Sequence, residues 1–432
     1  MVPIRLTSAY RKICASAILL CGLLLYDWMA IRSYLAYQSN ANSNFLAVFQ
    51  RPTALDPIHA EYRMRIENYY SRQSRRIEPS IAVDICAQAL QRNPFNAWNW
   101  LQLSTLYQTM GNAQAAECAL HAATRLSPLS ATMAIAAALF WLDQDKTPEA
   151  MHWLRRAIEY DASLAAEVFD LCWEMELNPA DILKHVIPSQ SSVMRDYISF
   201  LIQQDKVTEA LDAWSAWIQQ PRPFQANSAY KTVGALIDAL IQRQSPEAAG
   251  TVWRQFLEHS LEKRYADGAE SLLTNGGFET EPLNAGLDWR LVASPHARIR
   301  TDGEIHQAGW RSLAIRFDGQ ENLKFDHVYQ LVPVVPNTRY HFSGFMRTEN
   351  ITSDQGPRFE IRDYYQPARL SLTTDGLVGS HDWTCQDLEF VTGPDTRLLT
   401  IYIKRPPSWH LASRIDGTVW IDDLKLVRSG RQ

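Results

Sequence analysis

The sequence predicts a multidomain chain, α then β: an N-terminal transmembrane helix, an α-solenoid of helix pairs, and a C-terminal β-sandwich of jelly-roll type. Three observations predict it. A basic-flanked apolar run opens the chain, from Ile13 to Tyr26 and on to Ile31. Small residues recur every 34 positions between about residues 80 and 160. From Leu272 to Val427 the helical period gives way to short β-branched and aromatic runs separated by turn residues. The expected boundaries are 1–35 for the anchor, 36–57 for a linker, 58–267 for the helical repeats and 268–432 for the sandwich. At 432 residues with 46% hydrophobic content, more than one domain with a sizeable core is expected.

In the first element, Arg5, Arg11 and Lys12 precede the apolar run, and Asp27 interrupts it near its far end. Counted through Ile31 the run reaches the ~20 residues that a membrane-spanning helix needs. The basic flank belongs on the cytoplasmic side, so the reading is a single-pass protein of the cell inner membrane. The bulk of the chain then lies on the periplasmic or extracellular side. A cleaved signal peptide has an apolar region of the same length and is the alternative. A lipoprotein signal at Cys21 is disfavoured by Leu20, where a small residue is needed. Residues 38–57, polar and punctuated by Pro52 and Pro57, suit a linker. The net charge of −5, with both signs mixed along the chain, leaves no basic footprint for nucleic acid.

In the helical region Ala82, Ala116 and Ala150 stand 34 residues apart, as do Ala89, Ala123 and Ala157, and Pro94 and Pro128. One unit reads Trp100, Leu103, Ser104, Tyr107, Ala116, Leu120, Ala123, Pro128. This resembles the tetratricopeptide repeat, with Ser104 where Gly is usual and Leu120 where Phe is usual. The small residues let neighbouring helices approach closely, and the aromatics fill the adjacent holes. The repeat weakens after about residue 162. Asp205-Lys-Val-Thr-Glu-Ala210 and Ser245-Pro-Glu-Ala248 then restart the turn-plus-helix signal of Asp145-Lys-Thr-Pro-Glu-Ala150. About five helix pairs are expected, enough for a stable solenoid. The resemblance implies protein partners for this region. Most of its aromatics, among them Trp98, Trp141, Trp153, Trp214, Trp217 and Trp253, are expected in the core.

The last element begins with Leu273-Thr-Asn-Gly-Gly-Phe-Glu279 and ends with Gly417-Thr-Val-Trp-Ile-Asp-Asp-Leu-Lys-Leu-Val427. Strands are predicted at Ser312–Phe317, Tyr340–Phe345, Arg358–Arg362 and Leu398–Ile403. Turns are predicted at Asp318-Gly, Pro336-Asn, Asp375-Gly, Gly393-Pro-Asp and Asp416-Gly. Asn275 to Glu279, Trp289, Gly309, Ser312, Leu313, Ile315, Tyr329 to Pro336, Thr338 to Ser343, Trp383-Thr384 and Val419 to Leu426 carry a resemblance. In that order they resemble the type 4/9 jelly-roll family of carbohydrate-binding modules, over about the last third of the chain. Asn337 stands where the family usually has Gly; it tolerates the same left-handed turn geometry.

The resemblance implies sugar binding without catalysis, hence a polysaccharide as partner. It also implies a structural calcium ion tying the first strand to the last, with Glu279 and Asp422 as the candidate ligands. Hard oxygen donors are what calcium needs. A sugar's apolar face is covered by an aromatic ring while polar side chains bond its hydroxyls. Trp289 and Trp383 match structural positions of the family, and Trp420 abuts the closing strand. That leaves Tyr364, Tyr365 and Trp409 as candidate platforms, with Arg362, Asp363 and His410 as polar candidates. Cys86, Cys118 and Cys172 fall on helical positions, and a Cys86–Cys118 disulfide is conceivable; no zinc spacing occurs. No nucleophile elbow, metalloprotease helix or phosphate loop is present, so no catalytic residue and no enzyme are expected.

The functional reading is a membrane-anchored envelope protein that docks protein partners on its helical repeats and holds a polysaccharide on its sandwich. Such an arrangement suits an accessory to exopolysaccharide assembly or export. The alternative is an interaction scaffold whose β module binds no sugar. Burial of Tyr364, Tyr365 and Trp409 together would favour the scaffold.

Overall fold

The computed structural model describes residues 79–220, 229–259, 271–410 and 413–429. The chain divides into two compact units, between Ala162 and Ser163.

The first unit is built from α1 (Pro79–Arg92), α2 (Ala97–Thr109), α3 (Ala113–Leu126), α4 (Ala131–Asp143) and α5 (Thr147–Tyr160). Asn96, Asn112 and Ser130 cap the N-termini of α2, α3 and α4 by accepting from first-turn N–H groups. The 34-residue repeat is a repeat of packing: Ala116 and Ala150, and Ala123 and Ala157, are each fully buried, as is Leu154. Ser104 is tolerated at the close-approach position because its hydroxyl donates 2.8 Å to the carbonyl of Ala116 on the facing helix.

The second unit holds α6 (Ala165–Glu174), α7 (Ser191–Gln203), α8 (Val207–Ile218), α9 (Tyr230–Gln242), α10 (Pro246–His259) and the sandwich. The turns that join paired helices share one left-handed residue: Gly111, Asp145, Asp205 and Gln244, with φ between 56° and 74°. Trp214 and Trp217 are buried edge to face, and Trp141 and Trp253 are buried too, whereas Trp98 and Trp153 are half-buried.

No helix among the described residues is long and apolar enough to cross a membrane. The longest have fourteen residues, a rise of about 21 Å against the ~30 Å of a hydrocarbon core. This overturns the expected single-pass inner-membrane placement with the bulk of the chain periplasmic or extracellular. The expected membrane partner through an N-terminal helix goes with it. The apolar run itself, residues 13–31, lies outside the described residues, as do the linker and the predicted helix end at Glu262–Arg264.

The sandwich has two five-stranded antiparallel sheets. The first orders β1 (Arg290–Leu291), β4 (Phe325–Pro333), β9 (Leu398–Arg405), β6 (Arg358–Asp363) and β7 (Ser371–Thr373). The second orders β2 (Ala297–Asp302), β3 (Ser312–Asp318), β10 (Asp416–Arg428), β5 (Arg339–Ile351) and β8 (Gly379–Val391). Alternation along the strands sends Leu313, Ile315, Phe317, Phe342, Phe359, Ile361, Ile401, Val419 and Ile421 into one shared core. Phe278 packs on buried Trp289 there, as expected of Trp289. Asn337 has φ 49°, the left-handed turn that lets it stand for Gly. The opening segment lies against the last strand: Leu272 N–H donates to Leu426 O, and Leu424 N–H donates to Gly276 O.

Within the second unit the helices dock on the sandwich. The Trp253 indole donates 2.9 Å to Thr274 Oγ1, and buried Gln330 bonds both backbone groups of Thr274. Arg290 forks onto Asp238 of α9 at 2.6 and 3.3 Å. Arg397 reaches Glu247 of α10 at 2.7 Å. α9, α10 and the sandwich thus share one compact unit across the change of period near residue 268.

Candidate functional site

The outer face of the first sheet carries a cluster of outward aromatic and polar side chains. On β6, Phe359, Ile361 and Asp363 point inward, so Arg358, Glu360 and Arg362 point outward. On β9, Leu399, Ile401 and Ile403 point inward, leaving Thr400, Tyr402 and Lys404 outward. Pairing of β4 with β9 sets Tyr329 opposite Tyr402, and their rings meet at 5.4 Å between centroids. The Arg362 guanidinium lies 4.5 Å over the Tyr402 ring and donates 2.7 Å to its hydroxyl. Lys404 Nζ sits 2.7 Å from both carboxylate oxygens of Glu360. Burial raises the Tyr402 hydroxyl's pKa, opposed by the charge and hydrogen bond of Arg362. Tyr329, Arg362, Tyr402 and Lys404 remain half-exposed. The result is a preorganised floor with an aromatic centre and hydrogen-bonding groups around it.

Of the six predicted sugar-binding residues, this floor takes Arg362 alone. Tyr364 follows on the same face and is 42% exposed, edge to face with Tyr365. Tyr365 is half-buried, and its hydroxyl donates 2.8 Å to the Ile241 carbonyl at the end of α9. The edge of its ring and its hydroxyl therefore serve the helix–sandwich contact. Burial, then the charges of Tyr364, Glu247 and Asp363, push that hydroxyl up to about 12. Asp363 is corrected outright: it is fully buried, on the core side of β6. Its Oδ1 accepts from Gln366 N–H at 2.8 Å and its Oδ2 has no hydrogen-bond partner. An inward carboxylate cannot meet a sugar on the outer face.

Trp409 is 96% exposed in the loop after β9. Its neighbour His410 is exposed and stands 3.6 Å from Asp354. The base of that loop is fixed: Asn322 bonds both the carbonyl and the N–H of Ser408, and fully buried Arg405 donates to five acceptors beneath it. Sequence reasoning missed Tyr402, Glu360 and Lys404, and it missed Trp310, 80% exposed between β2 and β3. Trp383 is half-buried, and Trp420 is buried with its indole on Asp302. A separate cleft of about 670 Å³ lies between β1 and β2, lined by Val292, Pro295, Arg298 and Arg316 among others; it holds none of the predicted residues.

Glu279 and Asp422 do reach one place. Gly277 lies between them: a Cβ there would stand 3.7 Å from Asp422 Oδ1 and 3.8 Å from Glu279 Oε1. Asp422 is fully buried, and Gln307, Ala308 and Asp423 donate backbone N–H groups to it at 2.7 to 2.9 Å. Burial raises its pKa, opposed by those hydrogen bonds. Glu279 accepts from Trp310 N–H at 2.9 and 3.0 Å. No cationic side chain among the described residues pairs with either carboxylate. Two carboxylates about one glycine, one of them buried, suit a hard cation. No group of three or more His, Cys, Asp or Glu fit to hold a metal occurs among the described residues, so the remaining donors would be backbone oxygens.

Cys86 and Cys118 are not bonded to one another; Cys86 is buried, and desolvation pushes its thiol up to about 11.

A second buried carboxylate yields a pH prediction. Asp288 is fully buried in the loop that docks on the helices, accepting from Leu283 and Trp289 N–H. Desolvation, only partly opposed by those hydrogen bonds, pushes it up to about 7 from the ordinary 3.8. The folded chain therefore holds this proton at pH values where the unfolded chain has released it. The stability it contributes is complete below pH 3.8 and is lost as pH rises toward 7. Each pH unit in that window carries about 1.4 kcal/mol. Asp288→Asn should flatten the pH dependence of denaturation midpoints between pH 4 and 7; an unchanged slope would refute the assignment.

No family model matches this chain, and no curated protein matches it. Solved structures similar to it over the C-terminal sandwich include carbohydrate-binding modules. The module TmCBM61 in complex with β-1,4-galactotriose is 17% identical, with 37% of this chain and 100% of that chain covered and a TM-score of 0.28. The xylan-binding domain of CBM 22 is 16% identical over 38% of this chain and 99% of that one, again at 0.28. The enzymatically active domain of tailspike protein 4 of bacteriophage CBA120 is 13% identical over 37% of this chain, at 0.28. The chain spans about a fifth of the tailspike's length, 21%. The sandwich stands on its own strand pairing.

Proposed function

We propose that this chain is a non-catalytic carbohydrate-binding protein that holds a polysaccharide on the outer face of the first sheet. The observation that carries the reading is the outward pair Tyr329–Tyr402, with Arg362 fixed over one ring and Glu360–Lys404 beside it. Aromatic faces take the apolar side of a sugar, and the flanking charged groups take its hydroxyls. Tyr364 and Trp409, both exposed, flank this floor from the two ends of the strands. The three residues whose joint burial would have favoured a pure scaffold are therefore not all buried.

The helical repeats, tetratricopeptide-like in spacing, would dock protein partners. Phe95 and Leu129 support this: they are equivalent in the 34-residue repeat and are 80% and 75% exposed. Together the two functions suit an accessory to exopolysaccharide assembly or export. The expected test is affinity electrophoresis of the full chain against a polysaccharide panel. Tyr402→Ala should weaken retardation at least about tenfold, since loss of a stacking ring and its bonds removes upwards of 1.4 kcal/mol. Equal retardation of wild type and Tyr402→Ala would exclude this face.

A calcium ion at Glu279 and Asp422 belongs to the same proposal. When bound it would neutralise the buried Asp422 carboxylate and tie the opening segment, through Glu279, to the last strand. Chelator should then lower the thermal midpoint of the wild type and leave Asp422→Asn unaffected; identical midpoints with calcium and with chelator would remove the ion from the reading.

A further inference from the structure

On the floor just described, cations outnumber carboxylates. Pairing of β6 with β9 places Arg358 directly opposite Lys404. Like charges directly opposite on neighbouring strands destabilise a sheet. Glu360 neutralises Lys404 and nothing else. Arg358 donates to Gln355 Oε1 and the Gly356 carbonyl, and Arg362 to the Tyr402 hydroxyl, all uncharged acceptors. Neither arginine is ion-paired among the described residues. The patch of Arg358, Glu360, Arg362 and Lys404 thus carries an excess of positive charge on a chain whose net charge is −5. Most other exposed arginines of the sandwich are matched, as Arg300 is by Asp302, Arg311 by Glu281, Arg316 by Asp416 and Arg347 by Asp382.

Each guanidinium has five N–H donors in a planar fork that suits a carboxylate. Arg362 uses one of them and Arg358 two, so both keep donors for a ligand. The two arginines are four residues apart on one strand, about 13 Å. That separation serves carboxylates on different sugar units rather than one carboxylate gripped from both sides.

We infer that the glycan held on this face is acidic, a uronate-bearing polysaccharide whose carboxylates are received by Arg358 and Arg362 while its rings lie on Tyr402 and Tyr329. This inference rests on the sugar-binding reading above and adds the charge of the ligand. The experiment compares polygalacturonate and alginate with methyl-esterified polygalacturonate and neutral galactan, all against the full chain. The acidic polymers should bind at least about tenfold more tightly than the ester and the galactan. Their binding should weaken as sodium chloride is raised, because exposed charge pairs are screened. Arg358→Gln and Arg362→Gln should each lose most of the acidic preference, with folding checked by thermal midpoint. The salt response of the wild type reads the same charge should either variant fail to fold. Equal, salt-insensitive binding of ester, galactan and acid overturns the inference and leaves the sugar-binding reading standing. Binding of none of the four overturns both.

Discussion

Arg405→Met is expected to destabilise the fold by about 3–5 kcal/mol, because it strips the donor from several buried acceptors at once. Arg405 is fully buried at the end of β9. Its Nε donates to Gln355 O, one terminal nitrogen to Asn322 Oδ1 and Leu323 O, and the other to Ser353 Oγ and Ser413 O, at 2.6 to 3.1 Å. Desolvation lowers its pKa, with the charge of Asp354 acting the other way. Methionine fills the volume but leaves those acceptors without their donor, at about 1–3 kcal/mol for each group that cannot find water. Arg405→Lys should fail almost as badly, because an ammonium has three donors and no planar fork. Urea denaturation reads both, and a loss below about 1 kcal/mol for Arg405→Met would refute the argument. The functional consequence is local. The acceptors come from three loops at one end of the sandwich, and the loop that presents Trp409 rests on them. Loss of Arg405 should therefore release Trp409 before it disturbs the floor around Tyr402.

The strands were legible because alternation and turn chemistry are local. Arg358–Arg362 and Leu398–Ile403 lie within β6 and β9, and Asn337 takes the left-handed turn anticipated for it. Glu279 and Asp422, a pair that only the resemblance implied, both lie about Gly277. The floor itself was hidden, because Tyr329, Arg362 and Tyr402 meet only through the register of β4 on β9 and β9 on β6. That register joins residues about 40 to 70 positions apart, and no sequence period encodes it. Asp363 could have been read better: one residue beyond an outward Arg362, alternation already sends it inward. Tyr365 could not, because its partner, the Ile241 carbonyl, belongs to a helix 124 residues upstream. The membrane reading failed on different ground: it rested on residues 13–31, and no described helix replaces that span.

The docking of α9 and α10 on the sandwich makes the second strong prediction, at Gly286. This residue has φ +60°, and a Cβ on it would stand 2.5 Å from the six-membered ring of Trp253. Gly286→Val combines two penalties: a left-handed backbone at about 1–2 kcal/mol and overpacking at about 1–3 kcal/mol. The Trp253 ring cannot simply withdraw, because its indole is held on Thr274 and its body packs on Phe256. Moving the loop instead would break the bond from Arg290 to the Gly286 carbonyl, and with it the fork of Arg290 on Asp238. Gly379→Ala is the control: φ there is +83°, but a Cβ meets nothing within 4 Å, so backbone strain acts alone. Calorimetry should show α9 and α10 sharing one transition with the sandwich in the wild type and in Gly379→Ala. In Gly286→Val the transition should fall by several degrees and split, with helices and sandwich melting apart. A single, barely shifted transition would mean that the loop yields easily and that the helices are not clamped to the sheet. Clamping bears on the ligand as well. Tyr365 joins the strand end beside the floor to the last carbonyls of α9, so separated helices should also change how the sheet face meets a polysaccharide.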